Sequence, residues 1–113
     1  MTNNLSWEEF TKVDMRVGTI VDAQSFPEAR RPAYKLTIDF GNELGIRKTS
    51  AQITDHYNLE DLIGKQIIAV VNFPKKQIAN FMSECLVLGS VDSEKRVILL
   101  QPDQQAVNGD RVG

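Results

Sequence analysis

A chain of 113 residues, 42% hydrophobic and 25% charged, has the length and balance of one globular domain and no room for a second core. Its single cysteine, Cys85, excludes an intrachain disulfide, and with a single histidine, His56, it cannot supply the usual ligands of a tetrahedral zinc site. A net charge of −2 argues against a tight non-specific nucleic-acid binder, whose affinity comes from neutralising phosphates, although Arg30, Arg31, Lys35, Arg47, Lys48, Lys75 and Lys76 crowd the middle of the chain.

In chain order, Ser6-Trp7-Glu8-Glu9 has the form of a capping box and predicts a short helix from Ser6 to Lys12. Val13 to Phe26 is rich in β-branched residues and reads as a long strand, in which Gly18 predicts a bulge or sharp bend. After "PEARRPA" breaks the chain, Tyr34, Leu36, Ile38 and Phe40 alternate with Lys35, Thr37 and Asp39, the pattern of a half-buried strand. "GNELG" reads as a turn, and Ile46 to Ile53 as a third strand with weaker alternation. Asn58 is placed to cap a short helix containing Leu59, Leu62 and Ile63, which Gly64 ends. "QIIAVVNF" is apolar enough for a strand covered on both faces. "ECLVLGSV" and "RVILLQP" read as two further strands linked through "DSEK", and the tail "DQQAVNGDRVG" as turns.

Short strands around one core close into a barrel so that no edge is left open. With a helix between the third and fourth strands, the order predicts an all-β, five-stranded OB-fold barrel with short helices, one at the N-terminus and one between strands 3 and 4, as a single domain over 1–113.

Little in the sequence carries catalytic chemistry. His56, beside a helix start, reads as a surface or capping residue, and Cys85 as a small core residue. Neither a phosphate-cradling glycine loop nor a nucleophile elbow occurs, so a non-enzyme without cofactor or metal is expected. No apolar run approaches the ~20 residues of a membrane span. "MTNNLSWEEF" lacks the basic and apolar regions of a signal peptide, so a cytoplasmic protein without membrane insertion is expected.

The segment "NFPKKQIANFMSE", residues 72–84, departs from what a turn needs. It sets Ile78, Phe81 and Met82 beside Lys75 and Lys76. Two readings stand: the apolar residues plug one end of the barrel, or the loop is a binding surface. Adjacent lysines pointing different ways gain nothing from packing, which favours an electrostatic role for them.

"DMRVGTIVDAQSFPEAR" and "LIGKQIIAVVNFPKKQIANFMSECLVLGS" resemble the tRNA-binding OB domains appended to methionyl- and phenylalanyl-tRNA synthetases and found as stand-alone dimers. From Phe10 to Gly113 the chain is more similar to the export-related chaperone branch of that family, CsaA, through "TSAQIT", "VVNFP" and "VILLQPD". The resemblance implies a non-catalytic homodimer that holds unfolded or precursor polypeptides, with the secretion ATPase SecA as a candidate partner and tRNA as a candidate ligand of the same face. It implies a binding face of Ser50 and Gln52 on the third strand, Asn72 ending the fourth, Lys75 and Lys76 in the loop, and Ser83 and Glu84 entering the fifth. Arg30 and Lys35 flank that face, with Phe73, Ile78 and Phe81 as apolar contacts. Asn80 stands where the family mostly has glycine; asparagine tolerates a left-handed backbone, so the turn is expected to survive. "RRPA" and the neutral Gln77 depart from the synthetase-appended domains and weaken the case for their tRNA geometry. Apolar residues near both ends, including Trp7, Phe10 and Val107, are expected to be covered by a second copy.

Overall fold

The computed structural model describes residues 3–113. The capping box forms as expected: the Glu9 N–H donates to Ser6 Oγ (3.1 Å), the Ser6 N–H donates to Glu9 Oε1 (3.1 Å), and helix α1 spans Trp7–Thr11. Strand β1 spans Met15–Ser25 and β2 spans Tyr34–Asp39. The alternation of β2 is realised: Leu36, Ile38 and the following Phe40 are completely buried, while Lys35, Thr37 and Asp39 face outward and remain partly exposed.

The register of β1 against β2 shifts between Ile20 and Asp22, not at Gly18. Gly18 serves close packing instead: a Cβ there would lie 2.6 Å from Ile38 and 2.7 Å from Phe40, so glycine lets these two side chains pack directly over β1. "GNELG" is a four-residue helix, α2 (Gly41–Leu44), rather than a simple turn. Strand β3 follows at Ile46–Ala51, then helix α3 at Leu59–Leu62. Asn58 occupies the N-cap of α3, but its side chain makes no capping bond; its carbonyl accepts from the Asp61 N–H instead (3.1 Å). Leu62 is wholly buried, and Gly64 ends the helix with φ of 89°.

Strand β4 (Gln66–Val70) lies between β1 and β7 (Leu86–Val87), giving a sheet ordered β3-β2-β1-β4-β7. The sheet curls until β3 meets the chain just before β7. There the Glu84 N–H donates to the Lys48 carbonyl (2.8 Å), and the Lys48 N–H donates to Glu84 Oε1 (2.9 Å). Inside the same seam the Thr49 hydroxyl donates to the Cys85 carbonyl (2.7 Å) and shares a hydrogen bond with the Ser83 hydroxyl (2.9 Å). Together these bonds close the barrel of an OB-fold.

"ECLVLGSV" is not one strand. The Leu88 N–H turns to the Ile68 carbonyl (2.9 Å) and the Leu88 carbonyl accepts from Leu100 (3.1 Å). The segment thus divides into β7 and β8 (Gly89–Val91), which forms a separate hairpin with β9 (Val97–Leu99). The tail also pairs: β10 (Arg111–Val112) adds to β1 opposite Met15 and Arg16. Buried Gln66 clasps it, donating to the Ala106 carbonyl (2.7 Å) and accepting from the Ala106 N–H (2.9 Å). The core joins Ile20, Leu36, Ile38, Phe40, Leu62 and Ile67. Cys85 belongs to it, and burial pushes its thiol up to about 11.

Candidate binding face

Residues 72–84 form a β-hairpin in place of the expected loop: β5 (Lys76–Ile78) pairs with β6 (Phe81–Ser83) as a two-stranded sheet of its own. Three residues a side is too short for alternation to show in sequence. Ile78 faces Phe81, so Ala79 and Asn80 are a two-residue turn. Ala79 has φ of 52°, and Asn80 is not among the residues with positive φ. This is the pattern of a type II′ turn, whose first central position favours glycine. The left-handed residue is therefore Ala79, correcting the role expected of Asn80.

The hairpin leans on the far end of the β1–β2 pair. Phe81 packs edge-on against buried Phe26 with ring centroids 5.5 Å apart. Lys35 Nζ sits 5.2 Å from the Phe26 centroid and 5.7 Å from that of Phe81. Lys35 thus joins the hairpin to the sheet, and Phe81, held from two sides, is half-buried. Ile78, opposite Phe81 in the hairpin register, is half-buried too, whereas Met82 is exposed.

The sequence-predicted residues separate by what their groups already do. Ser83 is buried with its hydroxyl bound in the seam, and the Ser50 N–H points at it from 3.4 Å. Asn72 ties the end of β4 to the approach of β1: its Oδ1 accepts from the Asp14 N–H (3.0 Å) and its Nδ2 donates to the Lys12 carbonyl (2.6 Å). Glu84 is half-buried between the Lys48 N–H and Lys75 Nζ, 3.5 Å from its Oε2. Gln52, Phe73, Lys75, Lys76 and Arg30 stand exposed. Among the described residues, Arg30, Lys35 and Lys76 form no ion pair.

Two features were not legible as site residues. Ile46 opens β3 on its outward face and is 56% exposed, where the alternation asks for a polar residue. Arg47 points the other way and donates to the Val71 carbonyl (2.8 Å). With Leu44, Phe73, Lys75 and Glu84 they line a groove of about 290 Å³. Phe73, also 56% exposed, forms part of its wall. The sequence signal was present only as an apolar residue out of phase in "IRKTS".

A separate apolar region lies at the termini. Trp7 is 80% exposed and Val107 70%. Trp7 and Phe10 meet edge-on at 6.0 Å and, with Leu5, Ser6 and Gly113, line an open cavity of about 470 Å³. No helix of the described residues is long and apolar enough to cross a membrane, and no cluster of three potential metal ligands occurs among them.

Residues 15–111 match the family model described as "Putative tRNA binding domain". The chain is similar to the chaperone CsaA of Bacillus anthracis, at 53% identity and TM-score 0.92 over 97% of this chain and 99% of that one. It is also similar to the CsaA chaperone protein of Picrophilus torridus, at 50% identity and TM-score 0.90 over 97% and 100%. The methionine–tRNA ligase of Chlorobium phaeobacteroides is 33% identical over 108 residues, which is 96% of this chain but 15% of the ligase. The chain thus spans a small part of the length of the ligases it matches.

Proposed function

This chain belongs to the tRNA-binding domain family, and we propose that within it the chain is a non-catalytic, export-related chaperone that holds extended segments of unfolded or precursor polypeptide. One observation carries the reading. The hairpin and its flanks present Phe73 and Met82 in the open beside Lys75 and Lys76, with Lys35 against Phe81 at the far end; among the described residues Lys35, Lys76 and the exposed Arg30 pair with no acid, and Lys75 pairs only with Glu84. Solvated lysines alone would need no apolar neighbours; of the three residues of the plug reading Ile78 and Phe81 are half-buried, but Met82, with Phe73 at the loop entry, stands in the open. Mixed apolar and cationic surface suits a chain that offers both kinds of group along its length. The likeness to chaperones named CsaA supports the same reading, and SecA is the export partner we would test first.

A second reading, tRNA on the same face, rests on the family and on the free cations. OB-folds hold single strands by stacking bases above a basic groove. Phe81 is held by Phe26 and Lys35, which leaves Phe73, among the described residues, as the open ring on this face. That supports polypeptide as the principal ligand and tRNA as a secondary one.

The terminal apolar region supports a homodimer. A second copy would cover Trp7, Phe10 and Leu5 and double the binding face, raising avidity for a long ligand. Sedimentation at micromolar concentration is expected to give twice the 12.7 kDa chain mass; a single species at 12.7 kDa would overturn the dimer.

The functional test is a competition titration of an unfolded precursor polypeptide and labelled bulk tRNA at two salt concentrations. The polypeptide is expected to bind at both. Any tRNA affinity should fall with salt, at a slope of about −0.7 to −0.9 per phosphate contacted, and polypeptide should displace it. Polypeptide that fails to bind while tRNA binds would overturn the chaperone reading and leave the second.

A further inference from the structure

The groove between β3 and the entry to the hairpin opens beside the seam that closes the barrel and combines apolar with charged lining. Leu44, Ile46 and Phe73 give it apolar walls, while Arg47, Lys75 and Glu84 supply its charges. Two cations face one carboxylate. That carboxylate is already answered from both sides: Glu84 Oε1 by the Lys48 N–H and Oε2 by Lys75. Arg47 uses one N–H on the Val71 carbonyl, and among the described residues it pairs with no carboxylate. A guanidinium carries five N–H donors in a planar fork suited to a carboxylate. The half-buried Arg47 therefore keeps donors in reserve beside an apolar wall, and the groove has an excess of one positive charge.

We propose that this groove is a selectivity subsite: it takes one apolar side chain of the bound polypeptide against Phe73 and Ile46, and a neighbouring carboxylate of the same segment on Arg47 and Lys75. The inference rests on the polypeptide-binding reading and sharpens it by naming which segments are held best. A volume of about 290 Å³ accommodates one large side chain and the carboxylate beside it, not a folded element. The net charge rejects a basic residue in that place, so discrimination comes from repulsion as well as attraction. Segments in which an acidic residue adjoins a large apolar one are then preferred over otherwise identical basic segments. The basic end of a precursor would lie outside this groove.

The test uses the full chain and two labelled peptides of equal length, one alternating Glu with Leu and one alternating Lys with Leu. Binding of each is read by fluorescence anisotropy. The acidic peptide is expected to bind at least fivefold more tightly, and Arg47→Met or Lys75→Gln to bring the ratio close to one. A ratio of affinities is insensitive to a partly unfolded preparation, so loss of the Arg47–Val71 bond does not confound it; Lys75, exposed, provides the second variant. Equal or tighter binding of the basic peptide overturns the subsite and leaves polypeptide binding standing. If neither peptide binds, both fall. If a single-stranded oligoribonucleotide displaces the acidic peptide and Arg47→Met weakens the RNA equally, the groove is a phosphate site and the assignment to polypeptide is overturned.

Discussion

From Gln66 to Val71 every residue but Ile68 is buried, and over the next six residues, Asn72 to Gln77, every residue is exposed. The two halves of this short stretch obey different rules. The first is fixed by packing: Ile67 and Ala69 are completely buried in the barrel, and nothing polar could replace them cheaply. In the second, Phe73 and two lysines stand in solvent where packing asks for nothing. A barrel built from one end of the stretch carries a binding surface built from the other, and the two should respond to mutation in opposite ways.

The largest expected effect falls on the barrel. Phe40→Ala removes a wholly buried ring against Gly18 and should cost about 3–5 kcal/mol in chemical denaturation. The fraction that remains folded should bind polypeptide normally; weaker binding per folded molecule would mean that core and face are not separable. Cys85 offers a pH-dependent version of the same test. Its folded pKa is raised, by burial above all, from 9.0 to about 11, so the unfolded chain loses the thiol proton first. Stability from this group is complete below pH 9 and declines as pH rises toward about 11. Cys85→Ala should flatten the alkaline limb of a pH–stability profile, and an unchanged limb would contradict the burial. On the hairpin, Ala79→Gly relieves the left-handed turn and should stabilise by about 0.5–1 kcal/mol, read as a higher denaturation midpoint. A lower midpoint would mean that Ala79 is not strained.

How far each half was legible follows from the same difference. The β2 core positions Leu36, Ile38 and Phe40 could be read because alternation over seven residues has one meaning. The capping box at Ser6 could be read because it is local. Gly18 was misread because a bulge and a close approach leave the same sign in sequence, and the side chains it meets, Ile38 and Phe40, lie twenty or more residues away. On the face, Lys75, Lys76 and Phe73 were visible as residue types out of place. Asn72 and Ser83, read as ligand contacts, turn out to tie their side chains to the chain itself. Leu44, Ile46 and Arg47 were not found, because only the return of β3 beside the hairpin entry brings them to Phe73.

The most direct test of the account is the double charge reversal Lys75→Glu with Lys76→Glu, read in one preparation by melting and by binding of an unfolded polypeptide. Both lysines are exposed, and surface substitutions of this kind change stability by about 0.5 kcal/mol or less. Reversal of Lys75 also sets a like charge beside Glu84, 3.5 Å from the lysine it replaces, so a fall in melting temperature of no more than a few degrees is expected, with at least a tenfold loss of affinity. A large fall in melting temperature, or affinity equal to that of the unaltered chain, would show that Lys75 and Lys76, like Asn72 and Ser83, serve the fold and not a ligand.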